Sequence, residues 1–164
     1  ESIIHGEKPL DYTLRIIEAK MDAVLSGRTG NALYLTSDTI VTIDEFILGK
    51  PLSKTEAVSM LRLLSGREHS VITGICIAYP VNGSFKKESA YEESSVLFKK
   101  LSDESIIRYL DLINYCDKAG SYAVQENGDM IIDSIKGSVT NVIGLPLGLL
   151  FRMIGKAGLI NTFF

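Results

Sequence analysis

The chain has 164 residues, enough for one domain with a real core or for two small lobes. It is 46% hydrophobic and 23% charged, an ordinary globular composition, and its net charge of −3 gives no basic face for nucleic-acid backbone. No apolar run is long enough for a bilayer, and the two cysteines, Cys76 and Cys116, have neither metal-ligand spacing nor a disulfide framework. With only His5 and His69 present, a histidine-based metal site is not expected. The first residues are mixed and polar and do not resemble a signal peptide, so a cytoplasmic protein with reduced thiols is expected.

Glu7-Lys8-Pro9 opens the first helix, with proline suited to its first turn. Leu10, Leu14, Ile17, Met21 and Val24 predict its buried face, and Lys20 lies at the border of that face. Gly27 is expected to end it. The next stretch, from Leu33, is apolar as a buried strand is, and Asp38 stands where the hydrophobic run breaks. An acidic turn at Asp44-Glu45 leads to a second strand, Phe46 to Leu48, and then to Gly49-Lys50-Pro51. A carboxylate at one strand end and a lysine at the next fall on one rim of a sheet, where α/β ligands bind.

Ser53-Lys-Thr-Glu56 is a capping box for a helix burying Ala57, Met60, Leu61 and Leu64, with Gly66 as its C-terminal cap. His69 to Tyr79 reads as a strand interrupted at Thr73-Gly74, followed by a turn at Asn82-Gly83. Lys86 to Ser95 is a solvated polar stretch, and Val96 to Phe98 ends a partner strand. Ser102-Asp-Glu starts a third helix, with Ile106, Ile107, Leu110 and Ile113 inward. Asp117 to Gln125 reads as a loop feeding a short strand, which Asn127-Gly128-Asp129 turns back into an antiparallel partner, Met130 to Ile135. A last helix begins near Pro146. There is no internal repeat and no low-complexity linker, so the chain is expected to be one α/β domain over residues 1–164 with a mixed sheet.

Five motifs occur in order: Ser37-Asp38-Thr39-Ile-Val; Gly49-Lys50-Pro51; Leu64-Ser65-Gly66 with His69-Ser-Val-Ile-Thr73-Gly74; Asp117-Lys118-Ala-Gly120-Ser-Tyr122-Ala-Val-Gln125; and Ile135-Lys-Gly137-Ser138 with Asn141-Val-Ile-Gly144-Leu-Pro146. Together they resemble the Maf family, the septum-formation-inhibitor-like nucleoside triphosphate pyrophosphatases. The resemblance covers Glu1 to about Pro146.

The resemblance implies an elongated, two-lobed α/β fold with a twisted mixed sheet flanked by helices, commonly a homodimer. It implies cleavage of a nucleoside triphosphate to monophosphate and pyrophosphate with Mg²⁺ or Mn²⁺, a house-cleaning activity linked to arrest of cell division. Carried onto this sequence, Asp38 is the proton acceptor, with Lys20 and Lys50 as catalytic partners and Asp38 with Glu1 as metal ligands. Thr39, Gln125, Lys118, Ser65 and Gly66 are the substrate-binding candidates, and Thr39 with Gln125 matches the branch acting on dTTP and UTP. Against that stand the blander roles: a Lys118–Asp117 salt bridge that pins a loop, a cap at Asn141, and Tyr122 as a core residue.

Two features depart from the family pattern. The Ser-x-Arg-Arg phosphate loop is absent, and Thr36 stands where glycine is usual. The first leads to the expectation of a missing front segment before Glu1. It also keeps open a second function, a catalytically inactive nucleotide-binding regulator of cell division acting through protein partners.

Overall fold

The computed structural model describes residues 2–159. Five strands form one sheet in the order β2-β1-β3-β4-β5, comprising β1 (Tyr34–Ile43), β2 (Phe46–Leu48), β3 (Glu68–Val81), β4 (Ser84–Phe98) and β5 (Ile132–Lys136). Helices α1 (Pro9–Leu25), α2 (Lys54–Leu64), α3 (Asp103–Leu110), α4 (Val139–Ile143) and α5 (Leu147–Lys156) flank it. The α/β class is as expected. The mixed sheet is not: every pairing among the described strands is antiparallel. Tight turns at Asp44-Glu45 and Asn82-Gly83, all four residues at positive φ, join β1 to β2 and β3 to β4 directly, and such hairpins can only be antiparallel.

Strand alternation sorts the core onto two faces. Even positions of β1 and β3 (Ile40, Ile72, Cys76, Ala78) pack under α1. Odd positions build two clusters on the other face. Val41, Ile43 and Val71 join Leu61, Leu64, Ile106 and Tyr109 of α2 and α3, while Ile75, Ile77 and Tyr79 join Met153 of α5. Between those clusters, at the level of Thr39 and Thr73, the odd face turns polar, and α4 lies there against β3 and β4.

The buried face of α1 is Tyr12, Thr13, Ile16, Ile17 and Met21, rotated from the predicted stripe so that Leu10, Leu14 and Val24 fall at the margins. The cause is Gly74. A Cβ there would stand 2.8 Å from Thr13 Cγ2 and 3.0 Å from Ile17 Cδ1, so only glycine lets the helix come this close. β3 therefore runs unbroken through Thr73-Gly74, and the glycine receives a helix and not a bulge or a ligand. Thr36 fastens the same contact by donating to the Ile17 carbonyl at 2.9 Å, so it ties α1 to β1.

Two other elements differ from expectation. β4 extends across the whole polar stretch from Ser84, because its exposed side chains alternate with half-buried ones along a long ladder to β3. Tyr122 to Gln125 is not a strand. Short 3₁₀ turns at Tyr115–Asp117 and Ala119–Ser121 precede it, and the Tyr109 hydroxyl satisfies the Ala123 backbone in place of a ladder, accepting from its N–H at 3.0 Å. β5 pairs with β4 at the far edge of the sheet instead. Ile107, expected inward on α3, is 45% exposed, and Tyr109 takes its place in the core.

Candidate active site

Asp38 stands in the middle of β1, not at its end, opposite Gly74 of β3. The open edge beside it comes from β2, which pairs only with Val41 to Ile43. From Asp38 to Thr39 no strand among the described residues covers that edge of β1. The β1–β2 hairpin carries the chain back along the same edge, with Leu48 opposite Val41, so Lys50 two residues on comes level with Thr39. The Gly120 N–H donates to the Gly49 carbonyl at 3.1 Å and ties the Asp117–Tyr122 segment to this strand end. A Cβ at Gly120, whose φ is +65°, would sit 3.1 Å from Val41, so glycine serves both the turn and the close approach.

Two cavities meet at the exposed edge. A polar one of ≈ 260 Å³ lies on the α4 side and is lined by Ser37, Thr39, Asp117, Lys118, Gln125 and Gly144. A second, of ≈ 240 Å³, is lined by Tyr12, Ile40, Ile47 and Leu48. Asp38, Thr39, Lys50 and Ala119 border both. Because successive side chains alternate, Asp38 belongs to the α1 face of the sheet and Thr39 to the α4 face, and a ligand can straddle the strand edge.

On the α1 side Lys20 forms an ion pair with Asp38. The close approach of α1 at Gly74, the residue paired with Asp38, is what delivers the lysine. Lys20 is thus turned into the site from the border of its helix. On the other side Lys118 reaches Glu126 at 3.2 Å and Asp117 at 3.3 Å. Hydrogen bonding to Glu126 first, then to Asp117, raises the Lys118 pKa above its ordinary value. Lys50 is exposed at the mouth of both cavities.

Behind the polar cavity, Tyr122 is hydrogen-bonded to His69 Nε2 at 2.9 Å, and both rings pack edge-to-face with Phe98. Burial pushes the His69 pKa down to about 4, so the imidazole is neutral in the fold. Burial also raises the Tyr122 hydroxyl well beyond its usual range.

Asp38, Lys20, Lys50, Thr39, Lys118 and Gln125 converge here. Ser65 and Gly66 do not. Ser65 caps α2 and accepts from the Leu101 N–H at 2.8 Å, while the Gly66 N–H donates to the Lys99 carbonyl at 3.0 Å. Their motif marks a structural junction between α2 and the segment before α3. Glu1 lies outside the described residues. Residues not expected at the site from the sequence also line it: Ser37, which donates to the Gly144 carbonyl at 2.8 Å, and Asp117 as a cavity carboxylate. Glu126 was missed as the partner of Lys118, since nothing in the local sequence signals that a residue eight positions on returns to it.

A divalent cation fits this donor set in one way. Among the described residues no three or more His, Cys, Asp and Glu side chains cluster as a ligand cage. Asp38 on the edge and Asp117 on the wall are the carboxylates that border the polar cavity, and a Mg²⁺-like ion there would keep waters and take its other oxygens from substrate phosphates.

A family model described as Maf-like protein matches residues 1–157. The chain belongs to the Maf family. Among curated relatives of this Maf protein is a dTTP/UTP pyrophosphatase of Nitratidesulfovibrio vulgaris, 39% identical over 160 residues, covering 98% of this chain and 74% of the relative. Another, from Thermoanaerobacter sp. (strain X514), is 40% identical over 156 residues, covering 95% and 81%. A third, from Neisseria meningitidis serogroup B, is 40% identical over 153 residues, covering 90% and 74%. Both of the latter are also named dTTP/UTP pyrophosphatase.

Proposed function

We propose that this Maf protein hydrolyses dTTP and UTP to the monophosphate and pyrophosphate, a house-cleaning activity of the cytoplasm. The observation that carries the proposal is the Lys20–Asp38 ion pair at an uncovered strand edge, with Lys50 and Lys118 on the same cavity walls. The names of the relatives give the substrates.

A triphosphate gathers negative charge on its leaving pyrophosphate, so catalysis is mostly positioning and electrostatics. Asp38 accepts the proton of the attacking water, and a carboxylate base of this kind contributes roughly 10²–10⁴-fold. Lys20 holds the carboxylate in place. Lys50 and Lys118 neutralise phosphate oxygens, Lys118 by exchanging Glu126 or Asp117 for substrate. A Mg²⁺ or Mn²⁺ held by Asp38 would supply further charge neutralisation and a more acidic water. Thr39 and Gln125 meet the base from the α4 side. The homodimer implied by the family resemblance is part of the proposal, and Ile143, Leu147 and Phe151, exposed on α4 and α5, offer apolar surface for it.

Product analysis tests the reaction class. UTP and dTTP should give the monophosphate and pyrophosphate in equal amounts. Release of the diphosphate and orthophosphate would contradict it, and binding without turnover would favour a nucleotide-binding regulator.

A further inference from the structure

The hydroxyl of Thr39 has a fixed direction. Thr73 and Asn141 are both fully buried. The Thr73 hydroxyl lies 2.8 Å from the backbone carbonyl of Asn141 and must donate to it, because a carbonyl oxygen only accepts. A hydroxyl has one proton. Thr73 Oγ1 therefore has only lone pairs left for its other neighbour, Thr39 Oγ1, at 2.9 Å. Thr39 must be the donor in that bond, and towards the cavity it presents lone pairs alone.

The chain of bonds is anchored at its far end. The Asn141 amide donates to the Val71 carbonyl at 3.0 Å and to Ser94 Oγ at 2.9 Å, which fixes α4 and its carbonyl against β3 and β4. The register Thr39↔Thr73 fixes the near end.

We propose that Thr73, held by Asn141, is a positioning residue that makes Thr39 an acceptor and so selects pyrimidines with a proton on ring nitrogen N3. This rests on the reading that Thr39 meets the base. Uracil and thymine present that N–H between two carbonyls. Cytosine presents a bare N3 lone pair at the same place and would face the lone pairs of Thr39. Gln125, exposed on the cavity wall, can turn its amide to offer either a donor or an acceptor, so it complements both bases and separates neither. Discrimination falls to the hydroxyl that cannot turn. A site built to pair a substrate N–H rejects the analogue lacking it, because buried polar groups are left unpaired.

The test compares UTP, CTP and N3-methyl-UTP as substrates of wild type, Thr73→Ser and Thr73→Val. Wild type should favour UTP over both others by about tenfold or more in kcat/KM. Thr73→Ser keeps both bonds and should keep the preference. Thr73→Val releases the Thr39 proton, so the UTP-to-CTP ratio should fall by about tenfold. A merely structural role for Thr73 would lower all substrates together and leave that ratio unchanged, which would overturn the proposal. N3-methyl-UTP turned over as well as UTP by wild type would also overturn it, and this arm needs no folded variant. A wild type inactive on both UTP and dTTP would instead sink the proposed activity itself.

Discussion

Acidification should weaken this protein well before its surface carboxylates titrate, and His69 is the reason. Its imidazole is 4% exposed, packed against Phe98 and Tyr122, and burial lowers its pKa from 6.5 to about 4. The folded chain therefore keeps it neutral, while the unfolded chain takes up a proton as the pH falls through 6.5. Stability is complete above that value and is lost as the pH falls towards about 4. Each pH unit in that window costs about 1.4 kcal/mol, so roughly 2 kcal/mol is gone by pH 5 and roughly 3 kcal/mol by pH 4. The lowered carboxylates, Glu7, Glu68, Glu88 and Asp103, add their own loss only as the pH falls through their ordinary values, 4.5 for Glu and 3.8 for Asp, so the slope between pH 7 and 5 belongs to His69. Urea unfolding followed by circular dichroism at pH 7, 6 and 5 measures the effect. His69→Gln should be less stable than wild type at pH 7 but nearly flat from pH 7 to 5. Equal pH dependence in the two proteins would refute the assignment to His69.

Two further outcomes test how the site is assembled. Gly74→Ala adds a methyl 2.8 Å from Thr13 Cγ2, so α1 must lift. About 1–3 kcal/mol of stability should be lost in thermal melting, and turnover should fall with it as Lys20 withdraws from Asp38. Ser65→Ala removes the acceptor for the Leu101 N–H. It should cost about 1 kcal/mol of stability and leave KM for UTP unchanged, whereas a raised KM would restore Ser65 to the binding site.

Much of this architecture is legible in local chemistry. The Ser53 cap, whose hydroxyl accepts from the Glu56 N–H at 3.2 Å, the glycine ending α1 and the hairpin turns are each set by residues a few positions apart. What escapes local reading is placed by distant partners. The buried face of α1 is decided by Gly74, some 60 residues later, through a contact only a missing Cβ permits. The tie between Thr36 and Ile17 likewise spans the α1–β1 connection. Tyr122 to Gln125 has strand-like composition but is held by side-chain bonds to Tyr109 and His69, so composition points the wrong way there. The central position of Asp38 in β1 was hidden for another reason: the strand edge opens because β2 is short, and strand length on the neighbour leaves no mark at Asp38 itself. The family resemblance names Asp38, Lys20, Lys50, Thr39, Lys118 and Gln125, which the fold brings to one place, and it also names Ser65 and Gly66, whose contacts serve a structural junction.

The most direct measurement is pyrophosphate release from UTP and dTTP by wild type and by Asp38→Asn, a near-isosteric change that keeps the strand edge and removes the base. The account predicts turnover by wild type and a loss of roughly 10²–10⁴-fold in kcat in the variant, with nucleotide binding retained. Turnover of Asp38→Asn within a few-fold of wild type would contradict it and move the proton acceptor elsewhere in the cavity.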